Sequence, residues 1–238
     1  MISFESDYNN GMLPEILERL AETNDVKTSG YGSDVYCEEA KSRIRKAIDN
    51  DGADVFFLVG GTQTNTTVID SLLLGCEGVI ALETGHIAVH ESGAVEAFGH
   101  KVITLEGENS KLRAADVARY MDTFLADETC GHMVQPGMVY ISLPTEYGMA
   151  YSREELASLY SACQKYSLRL FIDGARLGYA LASDAVDYDM AYVARNCDVF
   201  YIGGTKVGAM FGEAVVFTGM KAPRHFFTTV KRHGALLA

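Results

Sequence analysis

The sequence predicts an α/β protein, with a mixed, mostly parallel seven-stranded sheet sandwiched by helices. Two observations predict it. Short apolar runs alternate with helical patterns along the chain, the signature of crossover units. Several of these runs are apolar throughout, as strands are when helices cover both faces of a sheet. With 238 residues, 48% of them hydrophobic and 22% charged, the chain has the composition and length to bury a sizeable core.

Pro14 opens a first helix that runs to about Asn24. A second runs from Asp34 to about Asn50, with the Asp34 carboxylate placed to accept from the free amides of the first turn. ADVFFLV (53–59) reads as a strand, followed by a helix from about Thr62 to Leu74 and the strand GVIAL (78–82). KVITL (101–105) is the next strand, and RAADVARYMDTFLADE (113–128) is a helix with Val117, Tyr120, Met121 and Phe124 on one face. MVYISL (138–143) precedes a helix whose start, Ser152 with Glu155 three residues on, is a capping box. LRLFID (168–173), DVFYI (198–202) and EAVVF (213–217) complete at least seven strands. There is no internal repeat or flexible linker. The closing stretch HFFTTVKRHGALLA is apolar and helix-like without a capping signal, which suggests a fragment.

A formal charge of −12 argues against a polyanionic partner, because nucleic-acid binding needs a basic stripe. The five cysteines (37, 76, 130, 163 and 197) form no CxxC pair, and their odd number suits a reducing compartment. MISFESDYNN has neither the basic nor the apolar region of a signal peptide. No apolar run reaches the roughly 18 residues a bilayer span requires. The expectation is a soluble, cytoplasmic protein with no membrane partner.

Two motifs carry the chemistry. FIDGAR delivers Asp173 at the carboxyl end of a strand, then Gly174 and Arg176; YIGGTKVG frames Lys206 with Gly203, Gly204, Thr205 and Gly208. A strand's carboxyl end is where open α/β sheets place ligands. A carboxylate that can pair with a pyridinium nitrogen and a lysine that can hold an aldehyde as a Schiff base are the fixed needs of a pyridoxal phosphate site. Taken alone, Asp173 could equally cap a helix, and Lys206 could be a surface lysine. The small residues around Lys206 let the backbone approach a ligand, and a partly desolvated amine loses its proton more easily.

Other segments are more ambiguous. In FLVGGTQTNTT (57–67), Gly60 and Gly61 follow a strand and Thr62, Gln63 and Thr64 open a helix, which makes either a phosphate seat or an ordinary tight turn. It lacks the lysine of a nucleotide-binding P-loop. His86 and His90 stand four apart, with Glu91 adjacent. They lack the stricter zinc patterns, which leaves an imidazole lying on a cofactor ring or a plain surface histidine. The planar fork of Arg176 suits a substrate carboxylate, a cofactor oxygen or a simple ion pair. Tyr31 and Tyr36 are either core or ring-contacting residues.

With DGAR, the GTQTN turn, the HxxxxE segment and GGTK all present, the chain resembles the low-specificity L-threonine aldolase and β-eliminating lyase family. The resemblance runs from SDYNNGMLPEIL to the last residues. It implies the large domain of the aspartate-aminotransferase-type pyridoxal phosphate fold. The N-terminal segment would be 1–20, the cofactor-binding domain 21–222, and 223–238 the start of a helix leading toward a small domain that supplies a second carboxylate-binding arginine. It implies that Lys206 is the Schiff-base lysine, that Asp173 serves the pyridine nitrogen, that His86 stacks on the ring, and that Gly61, Thr62 and Gln63 cup the phosphate. Arg176 and Ser6 would lie near the substrate carboxylate, and Glu91 would be an acid near the site. It further implies retro-aldol cleavage of a β-hydroxy amino acid to glycine and an aldehyde, in a homodimer or homotetramer with sites at the dimer interface. The segment LPTEYG (143–148) departs from the family pattern: Glu146 stands where many members have a histidine on the β-substituent side. β-Elimination on another amino acid, or a low-activity cofactor-binding subunit, are the alternatives.

Overall fold

The computed structural model describes residues 5–9 and 11–237. The opening four residues, Asn10 and Ala238 lie outside the described residues, and with them parts of the expected N-terminal and C-terminal segments.

In chain order the helices are α1 (Pro14–Thr23), α2 (Val35–Ala47), α3 (Gly61–Leu72), α4 (His86–Val89), α5 (Ala94–Ala97), α6 (Ala114–Ala126), α7 (Arg153–Lys165), α8 (Leu177–Ala182), α9 (Met190–Arg195) and α10 (Phe226–Arg232). The strands are β1 (Asp54–Leu58), β2 (Glu77–Leu82), β3 (Val102–Leu105), β4 (Gln135–Ser142), β5 (Arg169–Asp173), β6 (Val199–Gly203) and β7 (Glu213–Phe217). Each apolar run named from the sequence is one of these strands. The expected caps also form: Asp34 accepts from the amides of Tyr36 and Cys37, and Ser152 and Glu155 make the reciprocal capping box. The short helices α4, α5, α8 and α9 are additions, too brief to leave a clear period in the sequence.

The seven strands form one sheet in the order β1-β7-β6-β5-β4-β2-β3. β7 runs antiparallel to both its neighbours, and all other pairings are parallel. Alternation along each strand divides the core between two faces. Ile80, Val139, Ile172, Phe200 and Val216 pack beneath α6 and α7, while Val79, Tyr140, Phe171, Tyr201 and Val215 pack with Val68 and Ile69 of α3 and Phe226 and Val230 of α10.

One consequence of this topology positions everything that follows. Because β7 is antiparallel, its first residue lies at the same edge of the sheet as the last residues of its neighbours. Glu213 is paired across to Leu58 on β1 and to Gly203 on β6. The turn into α3, the loop carrying Lys206 and the head of β7 therefore converge, at the carboxyl edge where open α/β sheets bind ligands.

Candidate active site

A cleft of about 350 Å³ opens at this edge. Gly60, Gly61 and Thr62 form one wall, and Lys206 with Thr205 another; His86, Ser142, Glu146, Asp173, Arg176, Tyr201 and Glu213 close it.

The two glycine-bearing motifs are packed backbone against backbone. Gly203 donates its amide to the carbonyl of Gly174 at 3.0 Å. A Cβ on Gly174 would lie 1.9 Å from the Tyr201 carbonyl oxygen, and one on Gly203 would lie 2.4 Å from that of Ala175. No side chain fits at either position. The contact fixes Asp173 relative to the loop of Lys206, which closes on itself as Gly204 accepts from the amides of Val207 and Ala209.

Asp173 is buried and fully occupied. Oδ1 accepts from the Ala175 amide at 2.9 Å and from the Tyr201 hydroxyl; Oδ2 accepts from the Tyr140 hydroxyl at 2.6 Å and from Asn65 Nδ2 at 3.0 Å. Burial and the neighbouring carboxylate push both phenols well above their ordinary range, so both remain donors. Four donors match an ionised carboxyl, which only accepts. Tyr201 also lines the cleft, so a further donor arriving from the cleft must share an oxygen with its hydroxyl or displace it.

Asn65 extends this web. Its Nδ2 also donates to Glu91 Oε1 at 2.7 Å, and the same oxygen meets His86 Nδ1 at 2.7 Å. A continuous line of buried polar groups thus runs from the imidazole in the cleft wall to Asp173. The hydrogen bond to Glu91 holds the His86 imidazole above its ordinary pKa, outweighing its own burial. Burial in turn holds Glu91 above the ordinary range, against the pull of His86 and Asn65.

The basic groups differ in their company. Lys206 is depressed, first by desolvation and then by the Arg176 charge. Arg176 forks onto Asp7 through Nε and Nη2. Burial works to raise Asp7, but the guanidinium prevails and holds it below the usual range. A carboxylate of the chain itself therefore lies on the fork that the sequence offers to a substrate carboxylate. Glu146 accepts from the His86 amide at 2.8 Å and from the Ser142 hydroxyl at 2.6 Å through one oxygen.

Lys206, Asp173, His86, Gly61, Thr62, Arg176 and Glu146, all singled out from the sequence, thus line one cleft. Three others do not. The Gln63 side chain turns away and donates to the His233 carbonyl at 2.9 Å, because α10 packs against α3 there, while its backbone amide stays in the first turn of α3. Glu91, expected near substrate, has a fully buried side chain behind His86, where it orients the imidazole. Ser6 is off the cleft wall, and Tyr8 stands there instead. Tyr31 and Tyr36 are not core, since both are exposed, and neither lines the cleft within this chain. Sequence reasoning missed Asn65, Tyr140, Tyr201 and Glu213.

Across residues 3–237 the chain matches the family model of the beta-eliminating lyases, and it belongs to that family. Among individual relatives it is 32% identical to the low specificity L-threonine aldolase of Pseudomonas sp. (strain NCIMB 10558) over 236 residues, which is 98% of this chain and 66% of that protein. The chain thus spans just under two thirds of that relative's length. A threonine aldolase structure from Leishmania major superposes with a TM-score of 0.95 at 42% identity, covering 100% of this chain and 68% of the other. An Escherichia coli aminotransferase, at 14% identity and a TM-score of 0.71, shares the fold alone.

Proposed function

We propose that this chain binds pyridoxal 5′-phosphate on Lys206 and cleaves a β-hydroxy amino acid of the threonine or allo-threonine type into glycine and an aldehyde. The observation that carries the reading is the convergence of a depressed lysine, a four-donor buried carboxylate and an uncapped helix start in one cleft. The residues fit the cofactor. The N-cap of α3 is Gly60, which offers no side chain to the first-turn amides. A Cβ on Gly60 would meet nothing within 4 Å, so the approach to those amides is open to an anion. The fold and the relatives' threonine aldolase activity point the same way.

When bound, the cofactor supplies a ring that takes up the electron pair released as the Cα–Cβ bond breaks. Gly61 and Thr62 would hold its phosphate at the helix start, and Lys206 would hold its aldehyde. Asp173, fixed by four donors, would be the carboxylate that keeps the ring nitrogen protonated. Arg176 receives the substrate carboxylate in exchange for Asp7. His86, with Nδ1 tied to Glu91, would lie against the ring, leaving Nε2 to accept the proton of the β-hydroxyl. Glu146 lies on the side toward which the β-substituent extends. Because Glu91 raises His86, turnover should climb with pH through a value above the ordinary 6.5, and Glu91→Gln should move that limb downward. A pH–rate profile unchanged by Glu91→Gln would remove His86 from this role.

The test is incubation with pyridoxal phosphate, borohydride reduction and peptide mapping, alongside assays of glycine release from threonine and allo-threonine. A pyridoxyl group on Lys206 and glycine formation, both abolished in Lys206→Ala, are expected. Absence of the label would overturn the reading. Glu146 also favours a second reaction, β-elimination, whose signature would be a 2-oxo acid and ammonia released without glycine. Cytoplasmic location and assembly into a homodimer or homotetramer belong to the same proposal. In support of assembly, α1 buries none of its residues and leaves Leu13, Leu17 and Leu20 exposed. Among the described residues no helix is long and apolar enough to cross a membrane.

A further inference from the structure

Glu213 lines the cleft, and the reading above gives it no task. It is only 4% exposed, yet it opens a strand whose other residues are all apolar. Its place is set by register, between the end of β1, which leads into the Gly60–Thr62 turn, and the end of β6, which leads to Lys206. The preceding residue, Gly212, donates to the Val59 carbonyl at 3.1 Å and holds the head of β7 against that turn. Oε1 accepts from the Thr205 hydroxyl at 2.8 Å. Oε2 is buried and has no partner. A buried carboxylate oxygen left without a partner is costly, so an occupant of the cleft is expected to satisfy it.

We propose that Glu213 acts as a neutral carboxylic acid and donates a hydrogen bond from Oε2 to the phosphate of the bound cofactor. This rests on the cofactor reading above and deepens it. An ionised carboxylate and a phosphate dianion cannot share a dry site, whereas a protonated carboxyl supplies the one donor that a glycine-lined seat lacks. The surrounding charges agree. Lys206 faces Glu213 from its own loop and favours ionisation; Asp173 at the end of β5 opposes it, and Tyr201 on β6 is neutral. The facing residues 57–63 of β1 and the α3 start bring no charged side chain. Burial, reinforced by Asp173, pushes Glu213 up to about 7 against the pull of the Thr205 hydroxyl, the Gly204 amide and Lys206. An adjacent phosphate would raise it further.

The experiment is equilibrium titration of wild type and Glu213→Gln with pyridoxal phosphate and with pyridoxal, at pH 6 and pH 8.5. At pH 6 the two proteins should bind pyridoxal phosphate within about twofold. At pH 8.5 the wild type should be the weaker by roughly tenfold, because it must first be protonated. Pyridoxal, which lacks the phosphate, should show no such divergence. Equal pH slopes in the two proteins would overturn the proposal. Equal divergence with both ligands would also overturn it, and would assign Glu213 to Lys206 instead. If neither aldehyde binds the wild type at either pH, the cofactor reading itself fails and takes this inference with it. Should Glu213→Gln not fold, calorimetry of the wild type at pH 8 in two buffers answers the question. Pyridoxal phosphate should bind with uptake of close to one proton more than pyridoxal, and equal uptake would overturn the assignment.

Discussion

The cleft floor holds two buried carboxyl groups, at 5% and 4% exposure, that the chain treats in opposite ways. Asp173 at the end of β5 is given four donors. Glu213 at the head of β7 has the Thr205 hydroxyl on Oε1 and no hydrogen bond on Oε2. Burial alone therefore does not decide what a carboxyl group does in a site; the number of donors around it does. The first is built to remain a fixed acceptor, and the second is left ready to hold a proton.

That contrast can be broken most forcefully at Asp173. Asp173→Asn turns one acceptor oxygen into a donor amide among donors, and should cost about 3 kcal/mol or more of stability in urea unfolding. If Asp173 serves the ring nitrogen, the variant should still take up pyridoxal phosphate while losing turnover by roughly a hundredfold or more. Near-normal turnover would sink that assignment.

Glu213→Gln should act in the other direction. The folded-state value of about 7 exceeds the ordinary 4.5, so between these values the native state holds more proton than the unfolded state. Native stability is then lost as pH rises from about 4.5 through about 7. The glutamine variant should be level with wild type near pH 4.5 and more stable at pH 8, by up to about 3 kcal/mol. A variant less stable at pH 8 would show that Glu213 is satisfied as an anion. Smaller still, Tyr201→Phe removes one of four donors and should cost about 1 kcal/mol, with Asp173 still held by the others. Asp7→Asn, at a half-exposed ion pair, should shift thermal stability by less than about 1 kcal/mol.

Much of this architecture can be read directly in the chain. Seven apolar runs announce the sheet, because both its faces are buried. Even the reversal of β7 leaves a trace, since the nine residues between Gly203 and Glu213 are too few for a parallel crossover. Asp173 and Lys206 are visible because each follows such a run within a glycine-bearing motif. The supporting cast is harder to see. Asn65, Tyr140 and Tyr201 come from three separate segments and meet only through packing, and the two tyrosines are indistinguishable from core residues until their hydroxyls are placed. Glu213 did carry a local signal: an acid heading an otherwise apolar strand has no reason to be there unless something polar meets it. The direction of the Gln63 side chain is invisible for a similar reason, since its partner His233 lies 170 positions away.

The insertion of β7 between β1 and β6 has a consequence for how this site can vary. Neighbouring strands lie about 4.8 Å apart, so the Gly60–Thr62 turn and the Lys206 loop spring from supports roughly 10 Å apart. A sheet can change that span only by a whole strand, never by a fraction of one. The interval between the Gly60–Thr62 turn and Lys206 is therefore set in whole-strand steps. The segment from Leu143 to Gly148, which follows β4, stands on neither of these two strands.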